Sequence, residues 1–167
     1  MKVIRANKRF LNAIGQVSCN ISAALPPPLL DIVKDGLRIV NGCIVLEALQ
    51  SRCPGLKPSD FPDKTGYECF VNHLHITEYI DADNMEIAIG FFYAIAKLAI
   101  IDKVSMPLAG IIGFDDTDVT IRFHVAREGE SWLCDDLEEY QYEGIAEVCI
   151  YAPGSQEISC GLEVAYV

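Results

Sequence analysis

The chain has 167 residues, of which 51% are hydrophobic and 22% charged, and its formal net charge is −11. That apolar content excludes a disordered chain, and the length predicts a single globular domain over 1–167. The acidic balance would repel a phosphate backbone, so no nucleic-acid partner is expected.

The opening Met1-Lys2-Val3-Ile4-Arg5, with Lys8 and Arg9, has the basic character of a secretory n-region. Asn12, Gly15, Gln16, Ser18 and Asn20 make the next stretch too polar for the apolar core of a signal peptide. Phe10, Leu11, Ile14 and Val17 instead recur at helical intervals and predict a first amphipathic helix, stopped by Pro26-Pro27-Pro28. Leu30, Val33, Leu37, Val40, Ile44 and Ala48 then step by three and four residues, which predicts a longer helix from Leu29 to Cys53-Pro54-Gly55. Asn41-Gly42 in its middle is a type I′ hairpin signal. The helix is preferred because Leu46-Glu47-Ala48-Leu49-Gln50 are helix formers.

Prolines and glycines over 54–66 predict a surface loop, and Val71–Ile80 reads as a strand. A second helix, capped by Asp83 or Asn84, is expected from Met85 to Ile101. It is apolar nearly all round, hence deeply buried, yet it contains Lys97 and falls short of the roughly 20 residues of a membrane span. Val119, Ile121, Phe123 and Val125 alternate with polar residues as a half-buried strand. Ala146–Ala152 and the alternating run Ile158–Tyr166 come next, linked by Pro153-Gly154-Ser155, so their pairing is antiparallel. The fold class expected is α+β, with N-terminal helices packed on a C-terminal antiparallel β-sheet. Seven cysteines, an odd number without a Cys-x-x-Cys pair, predict free thiols and a reducing, cytoplasmic location.

Charge is distributed unevenly. Residues 1–57 carry eight Lys/Arg against three Asp/Glu, whereas 58–167 carry five against twenty-one. From Glu128 onward there are ten carboxylates and no Lys or Arg. The dense part comprises Glu128, Glu130, Asp135, Asp136, Glu138, Glu139, Glu143 and Glu147, preceded by Asp115, Asp116 and Asp118. Trp132, Tyr140 and Tyr142 lie among these acids, and aromatic anchors ringed by charge are typical of protein-binding hot spots. Whether 131–143 is helix or strand stays open, since either geometry displays its acids together. Such a field speeds the approach of a cationic partner and weakens the fold by self-repulsion.

Catalytic signatures are sparse. No Gly-x-Ser-x-Gly, His-Glu-x-x-His, P-loop or Gly-x-Gly-x-x-Gly is present, so no enzyme activity and no cofactor are expected. His73-Leu74-His75 would place two imidazoles on one strand face. His124 or Glu78 would complete the set, and the alternative reading is a small metal-binding enzyme using His73, His75 and His124. Asp115-Asp116-Thr117-Asp118 is better read as a turn whose carboxylates bond to backbone amides than as a cation site. The charge pattern thus points to an interaction protein, an acidic inhibitor of a basic protein partner. Its most natural form is a bacterial immunity protein, or antitoxin, that occupies the cationic cleft of a nuclease-type toxin. The partner-binding residues expected are Asp115, Asp116, Asp118, Glu128, Glu130, Trp132, Asp135, Asp136, Glu138, Glu139, Tyr140, Tyr142 and Glu143.

Overall fold

The period-2 run from Val119 to Val125 becomes a central strand of an antiparallel sheet in the computed structural model, which describes residues 1–14, 25–80 and 85–155. Chain order begins with β1 (Lys2–Ala6), α1 (Lys8–Ile14), α2 (Pro27–Lys34), β2 (Leu37–Val40), β3 (Cys43–Leu46) and α3 (Glu47–Gln50). It continues with α4 (Lys64–Val71), β4 (Leu74–His75), α5 (Met85–Ile101), β5 (Leu108–Phe114), β6 (Val119–Val125) and β7 (Gly144–Tyr151). Five strands form one sheet in the order β1-β7-β5-β6-β4, every pair antiparallel, and β2–β3 is a separate hairpin.

The mixed α+β class is as expected, but the helices are not segregated ahead of the strands. β1 pairs with β7 at one edge of the sheet, with Arg5 opposite Glu147. Its five residues carry little local signal, because the stabilising contacts come from a strand far away in sequence. The long helix expected over 29–50 is a short helix followed by the hairpin. Asn41 and Gly42 take φ of 51° and 80°, the left-handed pair of a type I′ turn. Pro27 and Pro28 open α2, since the first helical turn has no use for their absent N–H. Gly36, at φ 82°, closes it by donating its N–H to the Val33 carbonyl. The strand expected over 71–80 reduces to the two residues of β4 between α4 and a 3-10 turn at Ile76–Glu78. The expected helical position Val17, the expected cap of the second helix at Asp83 or Asn84, and the Ile158–Tyr166 strand lie outside the described residues.

α5 spans the range expected of it and buries Ala88, Phe91, Phe92, Ile95, Ala96 and Ala99 against one sheet face and α2. No helix among the described residues is long and apolar enough to cross a membrane. Contact between α5 and the sheet is tight at Gly110, where an added Cβ would come within 2.6 Å of the Phe92 ring and 2.7 Å of Ile150. On the other face a smaller cluster joins Ile111 and Ile145 to Cys69 of α4 and to Leu133, Leu137 and Tyr140.

Two side chains one turn apart, Glu68 of α4 and Asn72 at its C-terminal cap, join the hairpin to the sheet. Glu68, with 0% exposure, accepts hydrogen bonds from Ile44 N (2.6 Å) and Val125 N (3.0 Å), and from both terminal nitrogens of Arg127 (2.6 and 3.0 Å). Asn72 accepts from Leu46 N at 3.0 Å and donates to the carbonyls of Ile44 and Phe123 at 2.8 and 3.0 Å. Ile44 and Leu46 point these backbone groups away from β2, while Phe123 and Val125 point theirs past the end of the short β4. The two side chains therefore satisfy polar groups that a neighbouring strand would otherwise take.

Candidate functional site: an acidic loop beside a polar cleft

The acid-rich stretch 128–143 is neither helix nor strand. It is an irregular loop with one 3-10 turn, Leu137–Glu139, whose N-terminal cap is Asp136 through its bond from Glu138 N at 2.9 Å. Leu133 and Leu137 bury themselves on the sheet and leave the intervening acids in water. The N-terminal residues hold this loop mainly through its backbone. Arg5 bonds to the Cys134 carbonyl at 2.9 Å, to Ser131 Oγ at 3.0 Å and to Glu147 at 2.7 Å. Asn7 is buried at the entry to α1, where its Oδ1 accepts from Phe10 N and Ile145 N. Its Nδ2 donates to the Glu143 carbonyl at 2.7 Å, with longer contacts to those of Tyr140 and Leu137.

The expected partner-binding residues divide into two groups. Several carboxylates have internal tasks. Asp115 Oδ1 accepts from Thr117 N, Thr117 Oγ1 and Asp118 N, making the expected turn between β5 and β6, and these bonds hold its carboxyl below the usual range. Asp118 bonds to His75 Nδ1 at 2.5 Å and accepts from Thr77 Oγ1 at 2.8 Å. Burial alone would push its carboxyl up, but these partners outweigh burial and lower it. Glu130 accepts from Thr65 N and Oγ1 in the first turn of α4, and these bonds overcome its burial to lower its pKa as well. Asp116 pairs with Arg9 at 2.6 Å, but its side chain is 91% exposed, and such a surface pair contributes little. Glu138 accepts from the Lys8 backbone N–H at 3.0 Å.

The remaining residues face solvent. Glu128, Asp135, Asp136, Glu139, Glu143 and Tyr142 are exposed, Tyr142 at 81%. Trp132 is partly exposed and lies against the Arg122 guanidinium, 5.6 Å from its ring centre. Tyr140 is half-buried, and its hydroxyl accepts from Cys134 N at 3.4 Å.

Beside the loop lies a polar cleft of about 220 Å³, lined by His75, Gly113, Phe114, Asp115, Asp118, Thr120, Arg122 and Glu143. Its floor is Gly113, where an added Cβ would meet Thr120 Oγ1 at 2.8 Å. The residues that create this cleft, Arg122 and Gly113 above all, were not among those expected. The Thr120-Arg122-His124 alternation was the available signal, because it puts three polar groups on one sheet face.

The three histidines of the metal reading do not gather. His73 and His75 stack with ring centres 4.4 Å apart, while His124 is buried with Nδ1 at 2.9 Å from the Val125 carbonyl and Nε2 at 3.7 Å from Glu147. Among the described residues no three His, Cys, Asp or Glu side chains converge as a metal site requires. Burial, aided by repulsion from Arg122, pushes the His73 imidazole down to about 4.

No curated protein and no solved structure matches the chain. A family match runs over residues 5–152, nearly the whole of the loop, cleft and sheet just described. The chain therefore belongs to the Uncharacterized protein PM0498 family.

Proposed function

We propose that the protein is an acidic inhibitor of a basic partner protein, in its most natural form an immunity protein that occupies the cationic cleft of a nuclease-type toxin. One observation carries this reading. The acidic loop is held by its backbone through Arg5 and Asn7, so Glu128, Asp135, Asp136, Glu139 and Glu143 remain exposed around Trp132 and Tyr142. A loop ordered in advance loses less conformational entropy on docking, and its carboxylates can replace phosphates in a cleft built to hold them. Asp115, Asp118 and Glu130 support the scaffold on this view and do not touch the partner. Glu138 and Asp116 sit at the rim.

The test starts by isolating the basic partner from the native host at low salt and then measuring association at increasing ionic strength. The rate should fall steeply with salt, and a Glu128→Gln, Asp135→Asn, Glu139→Gln triple variant should bind more slowly with a weaker salt dependence. Stoichiometric addition should also abolish nuclease activity of the isolated partner. An association rate indifferent to salt, or an undiminished nuclease, would refute the reading.

A further inference from the structure

Arg122 projects from the polar face of β6 and forms no hydrogen bond or ion pair among the described residues. It is half-buried, with its guanidinium braced on the Trp132 ring. Glu143 is the carboxylate that bears on it electrostatically, yet the two are not within the 4 Å of an ion pair. Glu143 in turn has no hydrogen-bond or ion-pair partner for its side chain among the described residues, and it leans over Gly113, 3.8 Å from where a Cβ would sit. A cation and an anion thus line the same cleft without meeting each other. Arg122 is the partly desolvated member, and a charge left in this state without a partner costs free energy, whereas Glu143 is open to solvent.

Asp115 and Asp118 also line the cleft, but their carboxylates are engaged by Thr117 and by His75 and Thr77, so the charges left without a partner among the described residues, on Arg122 and Glu143, set the ligand chemistry. A simple anion on Arg122 would face the charge of Glu143, and a simple cation at Glu143 would face Arg122. A small molecule carrying both a carboxylate and an ammonium satisfies each wall. Arg122 offers a planar fork suited to bidentate carboxylate contact, and its packing against Trp132 has already restricted its rotamers. The cleft suits a small molecule. Its 220 Å³ is about seven times the share of one water in the liquid and below the ~300–1,000 Å³ of drug-sized sites. His75, turned by its Nδ1 bond to Asp118, and Thr120 supply further polar contacts on the lining.

We propose that this cleft binds a free α-amino acid, with its carboxylate on Arg122 and its ammonium on Glu143. The proposal concerns the cleft and requires no protein partner, so its test stands apart from that of the inhibitor reading even though Glu143 and Trp132 belong to both surfaces.

Trp132 is the only tryptophan and touches Arg122, so its fluorescence reports directly on the cleft. The experiment titrates the purified protein with each of the twenty free α-amino acids, and with acetate and methylammonium as half-ligands. At least one amino acid should change the emission saturably, with a dissociation constant at least about tenfold below that of either half-ligand. Arg122→Gln and Glu143→Gln should each raise that constant by at least about tenfold, a loss of about 1.4 kcal/mol. Asp31→Asn, on α2 and outside both the cleft and the acidic loop, should leave it unchanged. Circular dichroism establishes that each variant is folded. Glu143 is exposed, so its substitution does not threaten the core. The proposal is overturned if no amino acid perturbs Trp132, if acetate binds as tightly as any amino acid, or if binding survives Glu143→Gln.

Discussion

Replacing Glu68 with alanine should be among the most destabilising single changes in this chain. The carboxylate is fully buried and receives four hydrogen bonds, two from backbone N–H groups of β3 and β6 and two from Arg127. Each backbone donor left unpaired costs about 1–3 kcal/mol, and removing one member of a buried ion pair costs about 3–5 kcal/mol. These overlap because Arg127 can relax toward water or toward Glu130, which lies 3.7 Å from it. A net loss of about 4–5 kcal/mol results, a large part of the ~5–15 kcal/mol that holds a domain together. Urea denaturation followed by Trp132 fluorescence and far-ultraviolet dichroism measures it. With a slope of about 2 kcal/mol/M the midpoint should fall by roughly 2 M. Arg127→Met alone should also destabilise, but the double variant should cost clearly less than the sum, because no charge is then left buried without its partner. A Glu68→Ala loss under about 1 kcal/mol, or additivity within about 0.5 kcal/mol, would refute this account of how the hairpin is attached.

Other outcomes are expected from the same structure. His73 has its pKa lowered to about 4 by burial, so between pH 6.5 and about 4 the unfolded chain binds the proton that the folded chain refuses. Stability should therefore fall as pH drops through that window, and the fall should be shallower in His73→Asn, as urea midpoints at pH 7, 6, 5 and 4 will show. Gly110→Ala should cost about 1–3 kcal/mol by overpacking Phe92 and Ile150, read as a lower thermal midpoint. Arg5→Ala removes contacts to Ser131, Cys134 and Glu147, and amide exchange over 131–143 should speed up while β5 and β6 stay protected.

Where a segment's pattern and its local stability agree, the sequence was legible. α5 is apolar on nearly every side, and β6 alternates cleanly over seven residues, so both lie where expected. The Asp115 turn was readable because its bonds span only three residues. β1 and the attachment of β3 were not readable, since the first depends on β7 and the second on Glu68 of α4 and Asn72 at its C-terminal cap. The stretch 29–50 shows how a period can mislead. Leu37, Val40 and Ile44 fit a helical face, yet two consecutive positive φ angles at Asn41 and Gly42 decide the matter. The candidate site was half visible: charge counting located the exposed acids, but it could not distinguish Glu139, open to water, from Glu130, bound to the start of α4. The cleft was not legible because a glycine in its lining and an arginine without an ion pair among the described residues leave no mark on composition.

The placement of Glu68 and Asn72 bears on how the molecule avoids polymerising. A strand with unsatisfied N–H and C=O groups along one side is a template for another chain, and β3 and the end of β6 would each be such a template. The side chains of Glu68 and Asn72 close both at once, a device that works without the lysines or prolines that commonly guard a sheet margin. Loss of either side chain would therefore open a sticky border as well as weaken the fold. Light scattering during refolding should rise in Asn72→Ala before any comparable change in a variant of equal stability altered at Gly110.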